Sequence, residues 1–200
     1  MRFARAALVL VFVLGLAACG GAAASPLHAS VSKVWWPRLT TSLAGAWTAT
    51  TASGRVLEVR YRVASRGSAL VQAWAPSTPG ETLTVFHPDG DGLLLTHYCG
   101  QGNQAHLAAV EAQGDAIVFR RIDVTNRLEG QSALYELTVR LAPDGQSYEH
   151  VETYTDADGE AETTTYRFQR RADDGARKEG DQVGPYVSVV ASDWWLLLGD

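Results

Sequence analysis

The stretch Val56-Leu57-Glu58-Val59-Arg60-Tyr61-Arg62-Val63 decides the fold. Leu57, Val59, Tyr61 and Val63 alternate with Val56, Glu58, Arg60 and Arg62, so one face is apolar and the other largely charged. A period of two residues is the mark of a strand half-buried in a sheet. The segment 133–141 repeats it, with Tyr135, Leu137, Val139 and Leu141 set against Leu134, Glu136, Thr138 and Arg140. Turn residues punctuate the chain between such segments: Ser53-Gly54, Arg66-Gly67, Asp89-Gly90-Asp91-Gly92, Gly114-Asp115, Asp144-Gly145 and Asp158-Gly159. Pairs of this kind tolerate the positive φ that tight hairpins demand. The alternation predicts ten strands, at 45–51, 55–64, 68–75, 81–87, 92–99, 104–112, 115–122, 132–142, 146–155 and 161–170. With no helix between them, the expected fold is all-β, an antiparallel up-and-down meander. A meander this long removes its exposed edges by closing into a barrel.

Flanking the predicted barrel (45–170) are segments of different character. Arg2 and Arg5 precede an apolar run from Ala6 to Ala18. That run is shorter than the roughly 20 residues a spanning helix needs, and it has the length of a signal-peptide core. It ends in Leu16-Ala17-Ala18-Cys19, which resembles the lipobox of bacterial lipoproteins. The resemblance implies cleavage after residue 18 and acylation of Cys19, hence a palmitate-type anchor with the lipid bilayer as partner. It also implies an exported protein held at the cell envelope. Gly20 stands where an Asp would resemble an inner-membrane retention signal, so a two-membrane bacterium would place it on the periplasmic face of the outer membrane. Residues 19–44 then form a tether (to about residue 31) and a cap containing Trp35-Trp36-Pro37. Residues 171–200 form a charged linker and an apolar tail. Trp35-Trp36 and Trp194-Trp195 are candidate bilayer contacts, because aromatic side chains favour the membrane interface.

Charge and cysteine content narrow the classes. Loss of Arg2 and Arg5 with the leader takes Lys and Arg from 17 to 15, against 22 Asp and Glu. An acidic chain without a basic cluster is a poor partner for nucleic acid. Acylation of Cys19 would leave Cys99 as the one thiol, so no intramolecular disulfide supports the fold.

Leu43-Ala44-Gly45-Ala46-Trp47 at the start of the first strand is similar to the Gly-x-Trp motif of the calycin superfamily. In those barrels the tryptophan closes one end, a role that falls here to Trp47. The chain from Gly45 to about Arg170 further resembles a bacterial lipocalin-like domain family of unknown function. That likeness rests on Gly67-Ser68-Ala69-Leu70-Val71, on Val85-Phe86-His87-x-Asp89-Gly90-Asp91 and on Leu95-Thr96-His97-Tyr98-Cys99-x-x-Gly102-Asn103-Gln104.

His97-Tyr98-Cys99 is the strongest candidate site in the sequence. In a strand His97 and Cys99 share a face about 7 Å apart. Four readings are open: a Cys–His nucleophilic pair, metal ligation with His106 and a further ligand such as His87, polar contacts in a ligand cavity, or locally satisfied core residues. The hairpin before it sets the facing. A turn at Asp89-Gly90 puts Val85 opposite Leu94; a loop from Asp89 to Asp91 puts it opposite Leu95, on the face of His97. The second register gathers the more apolar set and is preferred. It gives Val85, His87, Leu95, His97 and Cys99, with Tyr61, Trp74 and Tyr135, as candidate ligand contacts. No catalytic residue, metal ligand or cofactor is assigned. Asp156, Asp158 and Glu160 imitate a calcium loop but lack its ligand spacing, and no Gly-x-Ser-x-Gly is present. The expected function is binding of a small apolar molecule without enzymatic activity. A filled barrel serving a structural or protein-interaction role is the alternative, and a Cys–His enzyme a lesser one.

Overall fold

The structure, a computed structural model, describes residues 28–172. The leader, Cys19 and the tail with Trp194-Trp195 lie outside the described residues.

One helix precedes ten strands. Helix α1 spans His28–Leu43, and the strands are β1 (Gly45–Thr50), β2 (Val56–Ala64), β3 (Ala69–Trp74), β4 (Thr82–Asp89) and β5 (Gly92–Tyr98). They continue with β6 (Gln104–Gln113), β7 (Ala116–Thr125), β8 (Ala133–Leu141), β9 (Ser147–Thr155) and β10 (Ala161–Arg170). Each strand pairs antiparallel with the next, and β10 returns to β1 through Trp47↔Arg170 and Thr48↔Gln169. The protein is a closed up-and-down barrel of ten strands.

Helix α1 stoppers one end. Val31, Trp35, Leu39 and Leu43, four residues apart, are all buried, so one stripe of the helix faces the core. Full burial of such side chains contributes roughly 1.5–3 kcal/mol each. Pro37 falls on the exposed side, where the carbonyl it leaves without a helical partner meets solvent. Polar bonds tie the helix to the hairpins beneath it. Ser32 N–H and Oγ donate to the carbonyls of Asp91 and Gly90, at 3.0 Å each. Trp36 Nε1–H donates to Gly67 O at 3.0 Å, and Arg38 reaches Gly114 O and the Asp115 carboxylate. Trp35 is 4% exposed and Trp36 half-buried, so Trp35 is spent on the barrel core and Trp36 packs against it with part of its ring exposed.

Trp47 seals the same end. Its Nε1–H donates to Leu43 O at 2.7 Å, and the Arg170 guanidinium lies 4.2 Å from its ring centroid. Arg170 also donates to the carbonyls of Ser42, Ala44 and Gly145, binding the last strand to the chain before the first. Above this plug lies a layer of fully buried rings and aliphatics, including Phe86, Phe119, Tyr148 and Phe168. The opposite end carries the β1–β2, β3–β4, β5–β6, β7–β8 and β9–β10 loops, and among the described residues no helix lies across it.

Candidate functional site: the inner wall of the open half

The inner wall of the open half is built from alternate residues of β3, β4, β5, β9 and β10. β9 supplies most of it, placing Tyr148, His150, Glu152 and Tyr154 on the inside in succession. Trp74 from β3, Thr84 from β4, His97 from β5, and Tyr166 and Phe168 from β10 complete it.

Three polar linkages cross this space. Gln72 Nε2–H donates to the Tyr61 hydroxyl at 2.8 Å, and the Tyr148 hydroxyl donates to the same oxygen at 3.3 Å. His97 bridges two strands, with Nδ1 2.9 Å from Thr84 Oγ1 and Nε2 3.2 Å from the Tyr154 hydroxyl. His150 Nε2 lies 2.8 Å from Glu152 Oε1. His150 is 1% exposed, yet its Nδ1 has no hydrogen-bond partner. Buried polar atoms are normally paired, so each orphan needs a reason. Around these groups the rings meet edge to face: Trp74 lies 5.4 Å from His150, 5.0 Å from Tyr166 and 5.3 Å from Phe168.

Burial and charge set the protonation states. Burial lowers the affinity of His97 for a proton, opposed in part by the nearby Glu152 carboxylate. Burial alone would raise the Glu152 carboxyl, but the His150 hydrogen bond and the neighbouring imidazoles outweigh it and hold the group below the usual carboxylate range. Burial, followed by the Glu152 charge, pushes the Tyr154 and Tyr166 phenols up. The site therefore holds an anionic carboxylate beside phenols that keep their protons.

The residues singled out in the sequence divide. Tyr61, Leu95 and His97 are buried on the inner wall, and Trp74 faces inward at the mouth. Cys99 is half-buried just beyond β5, its N–H donating to Asn103 O at 3.0 Å. Val85 and His87 face outward, contrary to the preferred register, because Val85 pairs with Thr96 and Asp89 with Gly92. The reason is the turn. Gly90 takes the positive φ, +56°, so the two turn residues are Gly90 and Asp91 and the strands slip by one relative to the expectation. Tyr135 is the extra residue of a bulge between Leu134 and Glu136 and is 37% exposed; Leu134 is buried in its place. Its ring lies outside the barrel under the Arg121 guanidinium, 5.3 Å away.

The same geometry separates residues that two chemical readings would join. His106 bonds Thr96 on the outer face while His97 points inward, so these imidazoles do not share a ligand sphere. Among the described residues no group of three His, Cys, Asp or Glu is placed to hold a metal ion. Both ring nitrogens of His97 have partners other than Cys99, Thr84 Oγ1 and the Tyr154 hydroxyl. The sequence reading missed His150, Glu152, Tyr154, Tyr166 and the closing Arg170. The segment 147–155 is polar on both parities, so alternation alone does not mark Tyr148, His150, Glu152 and Tyr154 as the inner set.

No family model and no curated protein matches the chain. Among solved structures, the crystal structure of Rv2717c from M. tuberculosis is similar over 68% of this chain and 97% of that one, at 14% identity and a TM-score of 0.43. A redesigned β-barrel is similar over 67% of this chain and 96% of its own, at 14% identity and a TM-score of 0.29. Neither likeness bears on ligand or activity.

Proposed function

We propose that this chain is an envelope lipoprotein, anchored through an acylated Cys19, whose lipocalin-like barrel binds one small, largely apolar molecule in its open half. The observation that carries the binding is the partial exposure of side chains that point inward. Trp74, Glu152, Tyr154 and Tyr166 line the inside of the barrel, yet none is fully buried. The plugged half differs, since Trp47, Phe86 and Phe119 are closed off from solvent. Small closed barrels hold either packed side chains or one small ligand. Aromatic walls with a few placed polar groups are what such a guest requires. The anchoring part of the proposal rests on Leu16-Ala17-Ala18-Cys19 and the apolar run before it. The reading is of a carrier or sensor without catalysis, since His97, the base a Cys99 nucleophile would need, is committed to Thr84 and Tyr154.

Native mass spectrometry of the full chain, extracted gently from its own envelope, tests the binding. A companion small molecule at high occupancy is expected; repeated preparations carrying none would overturn it. Palmitate labelling tests the anchor, with loss of label and of membrane association expected in Cys19→Ser.

A further inference from the structure

Strand β10 has one edge that the barrel leaves unused. From Ala161 to Gln169 it pairs residue for residue with β9, but β1 meets it only at Arg170 and Gln169. Among the described residues no backbone hydrogen bond joins the other edge of 161–168 to β1 or to the β1–β2 turn. Ala161, Glu162, Thr163, Thr165 and Arg167 are exposed, and Thr164 and Tyr166 are half-buried. The wall has a second interruption, where β7 beyond Arg120 parts from β8 before Glu136, and that one is bridged. Arg121 crosses it to Ala133 O and Thr155 Oγ1, and Arg127 reaches Thr155 O. An unpaired edge presents a row of donors and acceptors to any other strand, and proteins blunt such edges with proline, lysine or bulges. This edge has none of the three. Between Glu162 and Arg167 it carries three threonines and a tyrosine, residues that favour strands, in unbroken register with β9.

The chain itself carries a fitting partner. Arg171 N–H donates to Ala46 O and its guanidinium to Glu58 Oε1, both at 3.0 Å, so the chain leaves the barrel beside the β1–β10 seam at the base. Phe168 lies only about 10 Å up the strand from that point. Residues 173–184, charged and glycine-containing, reach about 40 Å when extended. They lead to Tyr186-Val187-Ser188-Val189-Val190-Ala191, which is rich in β-branched residues and as long as the stretch from Ala161 to Tyr166. A chain that leaves at the base and turns back runs towards the mouth, antiparallel to β10. We infer that residues 186–191 form an eleventh strand on the open edge of β10, with Val187 opposite Tyr166 and Val189 opposite Thr164 on the inner side. This strand lengthens the wall at its shortest seam, and it does so whether or not a guest is bound.

Amide hydrogen exchange of the full chain in nonionic detergent, read by mass spectrometry on peptides covering 161–167 and 186–191, tests this. Both peptides are expected to exchange slowly. Val189→Pro removes a ladder N–H from the added strand. It should speed exchange in both peptides by about tenfold or more, the scale of a local opening, while peptides from β6 and β7 stay unchanged. Ala176→Pro, in the linker, should alter neither peptide. Exchange of 186–191 at the rate of an unprotected chain overturns the assignment. So does a slow 186–191 whose loosening by Val189→Pro leaves 161–167 untouched, which would place the tail in the detergent. Protection of 161–167 that grows with protein concentration while 186–191 exchanges freely also overturns it and gives the edge to a second copy of the chain. Should Val189→Pro loosen β6 and β7 as well, the unsubstituted chain decides: slow exchange in both peptides upholds the strand, and free exchange in 186–191 removes it.

Discussion

Tyr61 shows how closely the interior is tuned at the level of a single residue. Its hydroxyl accepts from both Gln72 and Tyr148 in a fully buried setting, and burial, the largest influence, keeps its proton firmly in place. Tyr61→Phe preserves the ring but strips both donors of their acceptor. It should cost about 1–3 kcal/mol, read as a lower urea midpoint at an unchanged slope. His97 carries a pH dependence. Burial holds its folded-state proton affinity below the ordinary imidazole value of 6.5, so the unfolded chain takes up the proton more readily. Its contribution to stability is complete above that value and is lost as the pH falls below it. Glu152, held below the ordinary carboxyl value of 4.5, adds a second loss further into acid. Thermal melting followed from neutral to mildly acidic pH should show the first decline, and His97→Gln should flatten it.

At the level of elements, alternation was legible wherever the outer face is charged. β2 is such a strand: Leu57, Val59 and Tyr61 are buried and Glu58, Arg60 and Arg62 exposed, as its pattern implies. β4 reverses the rule. Leu83, Val85 and His87 look like the inner face, but Thr84 and Phe86 are inside, because the wall near the mouth is polar and hydrophobicity no longer marks it. β9 is polar on both parities, so neither side announced itself and the richest part of the site went unread. Bulges add a third source of misreading. Val110, Ile122 and Tyr135 are each the extra residue at a register shift, and each is an exposed large apolar side chain. An inserted residue changes the phase of everything after it, and nothing in single-chain periodicity predicts where it falls. Helix α1 makes a sharper prediction. Trp35→Ala empties the centre of the plug and should destabilise by about 3–5 kcal/mol on chemical denaturation.

For the whole molecule, topology separates early contacts from late ones. Every strand pair but one joins neighbours in the chain; the exception is the β1–β10 seam. Arg170 spans it to the carbonyl of Ala44, 126 residues away. Contacts so distant in sequence carry the largest closure cost and form after the local hairpins. Arg170→Ala should therefore quicken unfolding markedly and barely change the refolding rate, giving a chevron that shifts on its unfolding arm alone. A comparable slowing of refolding would place the seam in the folding nucleus instead.

The seam has a directional consequence too. The helix begins beside the β4–β5 hairpin, and the last strand finishes against Ser42 and Ala44, so both described ends of the chain depart from the stoppered base. The rim loops lie at the opposite end of the barrel, so under the proposed anchoring at Cys19 a guest would enter from the end away from both described termini.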